Sequence, residues 1–134
     1  MKQLIYASHA KPNITVETVN ELVAYSKETN RVLGVTGFLI FNNQFFLQCL
    51  EGEAEAIEAQ MYKIKEDTRH TNIKVLGSKR IIRKTFDSLA MGFINNENTL
   101  KEIITRDTNK DTFNPHHFTY DEALHVLLSL SKVM

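Results

Sequence analysis

The stretch Gly34-Val35-Thr36-Gly37-Phe38-Leu39-Ile40-Phe41-Asn42-Asn43-Gln44-Phe45-Phe46-Leu47-Gln48-Cys49-Leu50-Glu51-Gly52 decides how the chain folds. Two runs rich in β-branched and aromatic residues flank Asn42 and Asn43, a pattern that predicts two antiparallel strands joined by a tight turn. Side chains alternate faces along a strand, so Phe46, Gln48 and Leu50 share one side of the second run while Phe45, Leu47 and Cys49 share the other. Both sides are apolar, which makes this strand central to its sheet. Gln48 is the exception. Leaving a primary amide unpaired in an apolar layer costs about 1–3 kcal/mol. Gln48 therefore needs a partner, either within the protein or on a ligand whose polar edge lies inside the fold.

Working outward, Leu4 to Ser8 reads as a strand with Leu4, Tyr6 and Ser8 on one face and Gln3, Ile5 and Ala7 on the other. Pro12 and Asn13 break it. Thr15 suits an N-cap, and Val16, Val19, Leu22, Val23 and Ser26 follow the helical period to an end near Asn30, a residue that tolerates a C-cap. After the hairpin, Gly52 opens a second helix whose inward stripe is Ala54, Ile57, Met61 and Ile64. Its acids Glu53, Glu55 and Glu58 come early and its bases Lys63 and Lys65 late, as the helix dipole prefers. Asp67-Thr68-Arg69-His70 ends this helix, either as simple termination or as an anion site. Ile73 to Leu76 predicts a fourth strand that can run on past a break at Gly77 to Ile82, and Leu89 to Ile94 a fifth.

The order βαββαββ is an α+β, ferredoxin-like arrangement with one added strand. In it the third strand inserts between the first and second, which sets Gln48 beside Tyr6 under the two helices. A short helical stretch, Leu100 to Thr105, and a polar loop, Asp107 to His117, follow. Thr119-Tyr120-Asp121-Glu122 is a capping box leading an apolar run from Ala123 to Leu130. Apolar residues at 123, 124, 127, 128 and 130 make a stripe too broad for a solvated helix. The expectation is a helical segment across the second face of the sheet, where Ile5, Ala7, Leu47 and Cys49 point, with self-association as the rival use of the stripe.

Composition narrows the function. The chain has 134 residues with 16 basic and 16 acidic side chains, so it carries no electrostatic footprint for nucleic acid or an anionic membrane. The single cysteine, Cys49, excludes an intramolecular disulfide, and the charged start is no signal peptide, which together predict a cytoplasmic setting. No apolar run approaches the ~20 residues needed to span a bilayer. Hydrolase, phosphate-loop, dinucleotide and zinc-protease motifs are absent. His116 and His117, beside Pro115, lack the further ligands of a metal site.

Leu4-Ile5-Tyr6-Ala7-Ser8, Asn30 before Gly34-Val35-Thr36-Gly37, Phe46-Leu47-Gln48-Cys49-Leu50-Glu51-Gly52-Glu53, Asp67-Thr68-Arg69-His70 and the stretch from Phe86 to Met91, in that order, resemble the BLUF family of blue-light sensors that bind FAD. The resemblance runs from about Lys2 to Phe93. It implies a flavin-binding domain over residues 1–95 with a C-terminal helical extension over 96–134. It further implies that the isoalloxazine ring inserts between the two helices, that Asn30 holds its polar edge and that Gln48 bridges Tyr6 and the flavin. Arg69 and His70 would lie near the ribityl and phosphate side, with Ser8 and Met91 in the surrounding shell, and the implied cofactor-binding set is Ser8, Asn30, Gln48, Asp67, Arg69 and His70. In this family light drives electron and proton transfer from the tyrosine to the flavin, and the glutamine amide then rearranges. The photoactive set here would be Tyr6, Gln48 and Met91. One departure stands out: where the family often has tryptophan, two positions before the methionine, this chain has Leu89, and it contains no tryptophan at all.

The resulting expectation is a short, stand-alone photoreceptor, not an enzyme, that contacts an unidentified effector protein and forms a homo-oligomer, without nucleic-acid or membrane partners. Three rival classes share features with it. An acylphosphatase-type enzyme has the same split topology, but His9-Ala10-Lys11-Pro12-Asn13 stands where its arginine-bearing loop would follow the first strand. An RNA-recognition module would need a basic patch and stacking aromatics. A flavin-binding regulatory module without photoactivity would share the pocket.

Overall fold

The computed structural model describes residues 1–86, 92–94 and 97–133, of which 92–94 are described by their backbone alone. Its elements are β1 (Lys2–Ala10), α1 (Val16–Leu33), β2 (Thr36–Phe41), β3 (Phe45–Gly52), α2 (Ala54–Glu66), β4 (His70–Arg80), β5 (Gly92–Ile94), α3 (Glu97–Thr108), a single 3-10 turn (Pro115–His117) and α4 (Tyr120–Ser131). The five strands form one sheet in the order β4-β1-β3-β2-β5. β3 lies between β1 and β2 and is antiparallel to both, β4 is antiparallel to β1, and β5 joins β2 in parallel. This is the expected ferredoxin-like α+β architecture. The predicted start of the fifth strand at Leu89 lies outside the described residues.

The hairpin forms with its turn one residue later than the sequence suggested. Phe41 pairs with Phe46, the Asn42 N–H donates to the Phe45 carbonyl at 3.3 Å, and the central residues are Asn43 and Gln44. Asn43 takes φ 76°, and the Asn42 side chain accepts from the N–H groups of Gln44 (3.1 Å) and Phe45 (2.8 Å). Asn42 thus closes the turn with its side chain as well as its backbone.

Thr15 caps α1 as expected, accepting from the Thr18 N–H at 3.2 Å, but the helix runs on to Leu33. Gly34 is the residue that ends it, at φ 69°, a left-handed conformation that a glycine adopts without the Cβ penalty an asparagine would incur. Asn30 is therefore inside the helix, and the C-cap reading of it is wrong. Gly52 belongs to β3, not to α2. A Cβ there would stand 3.2 Å from Val35 Cγ2 and 3.3 Å from the Gly34 carbonyl, so a larger residue would make these two segments give by a few tenths of an ångström. α2 starts two residues later, which leaves Ala54 exposed; Ile57 and Met61 are buried and Ile64 is half-buried. The helix ends at Glu66, Asp67 caps it, and His70 already opens β4. β4 is continuous to Arg80, with a register shift where Ile5 pairs with Gly77 and Tyr6 with Val75.

Two cores result, one on each side of the sheet. On the front, α1 and α2 pack through Val19, Val23, Ile57 and Met61 onto Leu4, Tyr6, Leu39 and Leu50. On the back, α3 and α4 pack onto Ile5, Ala7, Phe38, Ile40, Leu47 and Cys49. The Thr119 capping box forms in both directions, at 3.1 and 2.9 Å, and Ala123, Val126, Leu127 and Leu130 are fully buried against this face. Leu124 and Leu128 pack at its margin. The broad stripe is thus largely used inside the chain.

Candidate functional site

Tyr6 and Gln48 are directly opposed in the β1–β3 register, on the front face. The Tyr6 hydroxyl donates to Gln48 Oε1 at 2.5 Å, and both side chains are buried. Burial, helped by the Asp67 carboxylate, pushes the Tyr6 phenol well above its ordinary pKa, so the group is protonated and acts as the donor. In that pairing the Gln48 oxygen serves Tyr6.

A cleft opens above this pair between α1 and α2. It encloses about 610 Å³, including the part open to solvent, and its walls are mostly apolar, among them Leu22, Val23, Leu39, Phe46 and Ile64. Leu22 and Ser26 are only half-buried because they face this space rather than the core. Three side-chain amides converge on it: Asn30 from α1, Gln48 from β3 and Gln60 from α2. Gln60 Nε2 donates to Asn30 Oδ1 at 2.5 Å, and both residues are buried. Few, well-placed polar groups in an apolar cleft are what a small planar ligand requires. Gln60 escaped the sequence reading, although its signal was present: it sits between Ile57 and Met61 on the inward face of α2, a polar residue in an apolar stripe, as Gln48 is on β3.

Asp67, Arg69 and His70 line the mouth. Arg69 forms a two-pronged pair with Asp67, Nε to Oδ1 at 2.9 Å and Nη2 to Oδ2 at 2.7 Å, and its backbone N–H adds a bond to Oδ1 at 2.9 Å. Burial acts to raise the Asp67 carboxyl, but the hydrogen bonds and charge of Arg69 outweigh it and hold the group below the usual carboxylate range. His70 is fixed from two sides. Its Nε2 lies 2.6 Å from the Ile64 carbonyl, which can only accept, so Nε2 carries a proton, and Nδ1 lies 2.8 Å from the Ser8 hydroxyl. Ser8 is fully buried and does not line the cleft; it orients His70. Met91 and Leu89 lie outside the described residues. Cys49 is buried in the back core, away from the cleft, and burial pushes its thiol well up. His116 bonds the Asn72 carbonyl through Nε2 at 2.8 Å, and among the described residues no group of three or more His, Cys, Asp or Glu is placed to hold a metal ion. No helix among them is long and apolar enough to cross a membrane.

The chain is similar to proteins of one family. A family model described as "BLUF: Sensors of blue-light using FAD" matches residues 1–92. The blue light- and temperature-regulated antirepressor BluF of Escherichia coli K12 is 29% identical over 124 residues, covering 89% of this chain and 30% of its own length. The photoactivated adenylate cyclase subunit alpha of Euglena gracilis is 30% identical over 80 residues, 58% of this chain and 8% of the cyclase. The chain thus spans about a third or less of the length of these curated relatives. Among solved structures, BlsA in its photo-activated state superposes with a TM-score of 0.86 at 27% identity, covering 96% of this chain and 93% of BlsA, and BlsA in its ground state with 0.84 at 30% identity, covering 95% and 87%. The chain belongs to the BLUF family. It is accordingly a flavin-binding blue-light sensor unit, and the acylphosphatase-type alternative is not favoured.

Proposed function

We propose that the chain binds FAD in the cleft between α1 and α2 and signals light through the Tyr6–Gln48 pair to an effector protein that it contacts noncovalently. The observation that carries this reading is the buried 2.5 Å Tyr6–Gln48 hydrogen bond on the floor of an apolar cleft ringed by amides. Flavin, when bound, supplies blue-light absorption and accepts an electron. This chain's residues do the rest. Tyr6 holds a proton at Oη, aimed at Gln48. Asn30, tied to Gln60, offers amide groups to the polar edge of a heterocycle, while the apolar walls grip its faces and exclude water. Gln48 is the movable part: turning its amide by half a revolution exchanges oxygen for N–H2 at the same place and inverts what Tyr6 meets. At the mouth, Arg69 and His70 are the basic groups nearest the ribityl and phosphate side, with Asp67 and Ser8 orienting them.

The same proposal assigns the flavin-binding unit to residues 1–95 and a C-terminal cover to 96–134, with Met91 as a photoactive neighbour. Similarity to an antirepressor and to a photoactivated cyclase subunit supports an output through an effector. A cytoplasmic setting fits the lone, buried thiol of Cys49, and homo-oligomerisation is read directly by sedimentation. The test of the core reading is spectroscopic. The purified protein should be yellow, release FAD rather than FMN on denaturation, and undergo a reversible red shift of its oxidised spectrum under blue light. A bound flavin whose spectrum does not respond would leave only the non-photoactive binding module.

A further inference from the structure

The back of the sheet holds a buried polar cluster that the apolar core does not explain. Gln3 and Glu51 are fully buried and directly opposed in the β1–β3 register. Gln3 Nε2 donates to Glu51 Oε2 at 2.7 Å, and the carboxylate also accepts from the backbone N–H of Thr85 at 3.1 Å and of Phe86 at 2.7 Å. The Gln3 oxygen accepts from the hydroxyl of Tyr120, the first residue of α4. Burial pushes the Tyr120 phenol up, so it stays a donor. A buried network of this kind is tolerated only when its members are satisfied, and it then fixes one arrangement of the elements it joins.

Its geometry repeats that of the light-sensing pair. On the front, a tyrosine hydroxyl donates to the oxygen of Gln48; on the back, a tyrosine hydroxyl donates to the oxygen of Gln3. The pairs Tyr6–Gln48 and Gln3–Glu51 occupy the same two strands, three register positions and so about 10 Å apart. Between them the β1–β4 ladder breaks register, Ile5 pairing with Gly77 and Tyr6 with Val75. The Tyr120 ring lies on that irregularity: a Cβ at Gly77 would come within 2.8 Å of Tyr120 Cδ2, and Lys79 Nζ sits 5.6 Å from the ring centroid. Tyr120 therefore touches both the polar cluster and the point where β1 can shift against β4 without breaking a regular ladder.

We infer that Tyr120, through Gln3, is the positioning residue by which α4 follows the state of the Tyr6–Gln48 pair. The inference rests on the photoreceptor reading above. A primary amide is a two-position element, and a hydroxyl donor bound to its oxygen must turn or move when the amide does. A displacement of β1 against β3 at Tyr6 reaches Gln3 along the same strand, and the Gln3 oxygen cannot move without moving Tyr120 and the N-terminus of α4. This gives the coupling a defined switching element rather than a path drawn through intervening space.

Hydrogen exchange of the flavin-loaded full chain, in darkness and under steady blue light, tests it in wild type, Tyr120→Phe and Gln3→Met. Both substitutions keep most of the side-chain volume, and neither residue lines the flavin cleft. In wild type, exchange across 120–131 should change on illumination by about threefold or more. In both variants that light-minus-dark difference should vanish while the flavin spectrum still switches and α4 keeps its dark protection. An undiminished difference in Tyr120→Phe, or no difference in a wild type whose flavin switches, would overturn the inference. So would loss of dark protection in Tyr120→Phe, which would make the bond a latch. Failure of the photoreceptor reading shows separately, as a flavin spectrum that does not switch, and takes the inference with it.

Discussion

Over the front of the sheet α1 and α2 flank a cleft that reaches down to the Tyr6–Gln48 pair, whereas over the back α3 and α4 pack their apolar stripes onto the sheet. Each face carries a tyrosine bonded to a glutamine oxygen, but in different surroundings. Behind the sheet the Gln3 amide meets Glu51, whose carboxylate also takes two backbone N–H groups, so protein fills the space. In front, Gln48 lies on the floor of a cleft walled mostly by apolar side chains. Leu22 on the front is half-buried, and Leu127 and Leu130 on the back are fully buried. The difference is that the front places amides on an apolar-walled cleft, while the back joins its polar groups to one another and to α4.

The largest expected effect breaks the comparison at its centre. Tyr6→Phe keeps the ring and deletes the hydroxyl, and Gln48→Leu deletes the amide, so flavin should remain bound while the reversible red shift is lost. Difference spectra before and after blue illumination decide this. A Tyr6→Phe protein that shifts and recovers normally would separate the front-face hydrogen bond from light sensing altogether.

Next in size is the packing contrast. Leu127→Ala removes a fully buried side chain from the back core and should cost about 2–5 kcal/mol. Leu22→Ala, facing the cleft, should cost less than about 1 kcal/mol in the flavin-free protein, because the water it exposes is already there. Urea unfolding of the flavin-free chain measures both. Equal losses would mean that the cleft closes when empty.

A smaller effect sharpens the role of the front amides. Gln60→Leu removes the donor to Asn30 and should weaken flavin binding about tenfold, or ~1.4 kcal/mol, in a fluorescence titration. Cys49→Ala, on the back, should leave both the affinity and the photoresponse unchanged. Dependence of the photoresponse on Cys49 would contradict the placement of the two faces.

What the sequence made legible follows from this contrast. Alternation along Phe45 to Leu50 was enough to separate the faces, because a period of two admits no intermediate, and Tyr6 and Gln48 met as the topology required. The stripe of α4 was legible for the same reason: it is too broad for water. Helix ends were less so. Asn30 and Gly34 can both end a helix, and the choice depends on Gly34 adopting φ 69° with Val35 folded back against Gly52, a tertiary contact. Asp67 to His70 read as a last turn because basic residues suit one, whereas the pairing of Ala10 with His70 draws that residue into β4. Alternation put Gln3 on the face of Ile5 and Ala7, but nothing in the sequence pairs it with Glu51. Only their register with each other and the arrival of Tyr120 from more than a hundred residues away make them a buried pair.

The smallest expected effect concerns the rim of the cleft, where Asp67 and Arg69 meet with side chains 21% and 41% exposed. The Asp67 carboxyl titrates below its ordinary value because Arg69 favours the ionised form more than burial disfavours it. A group depressed in this way contributes stability that is complete above the unfolded carboxylate pKa of about 3.9 and is lost as the pH falls through the lower folded value. Asp67→Asn should therefore destabilise the flavin-free chain at pH 7 by about 0.5 kcal/mol, the scale of a solvent-screened pair, and the two proteins should converge as the pH falls through the folded value. Urea midpoints at pH 7 and in acid measure the difference. A gap that widens in acid would show that Asp67 is held by burial rather than by Arg69. The rim would then resemble the buried carboxylate on the back of the sheet, and the contrast between a solvated mouth and a sealed core would fail at this residue.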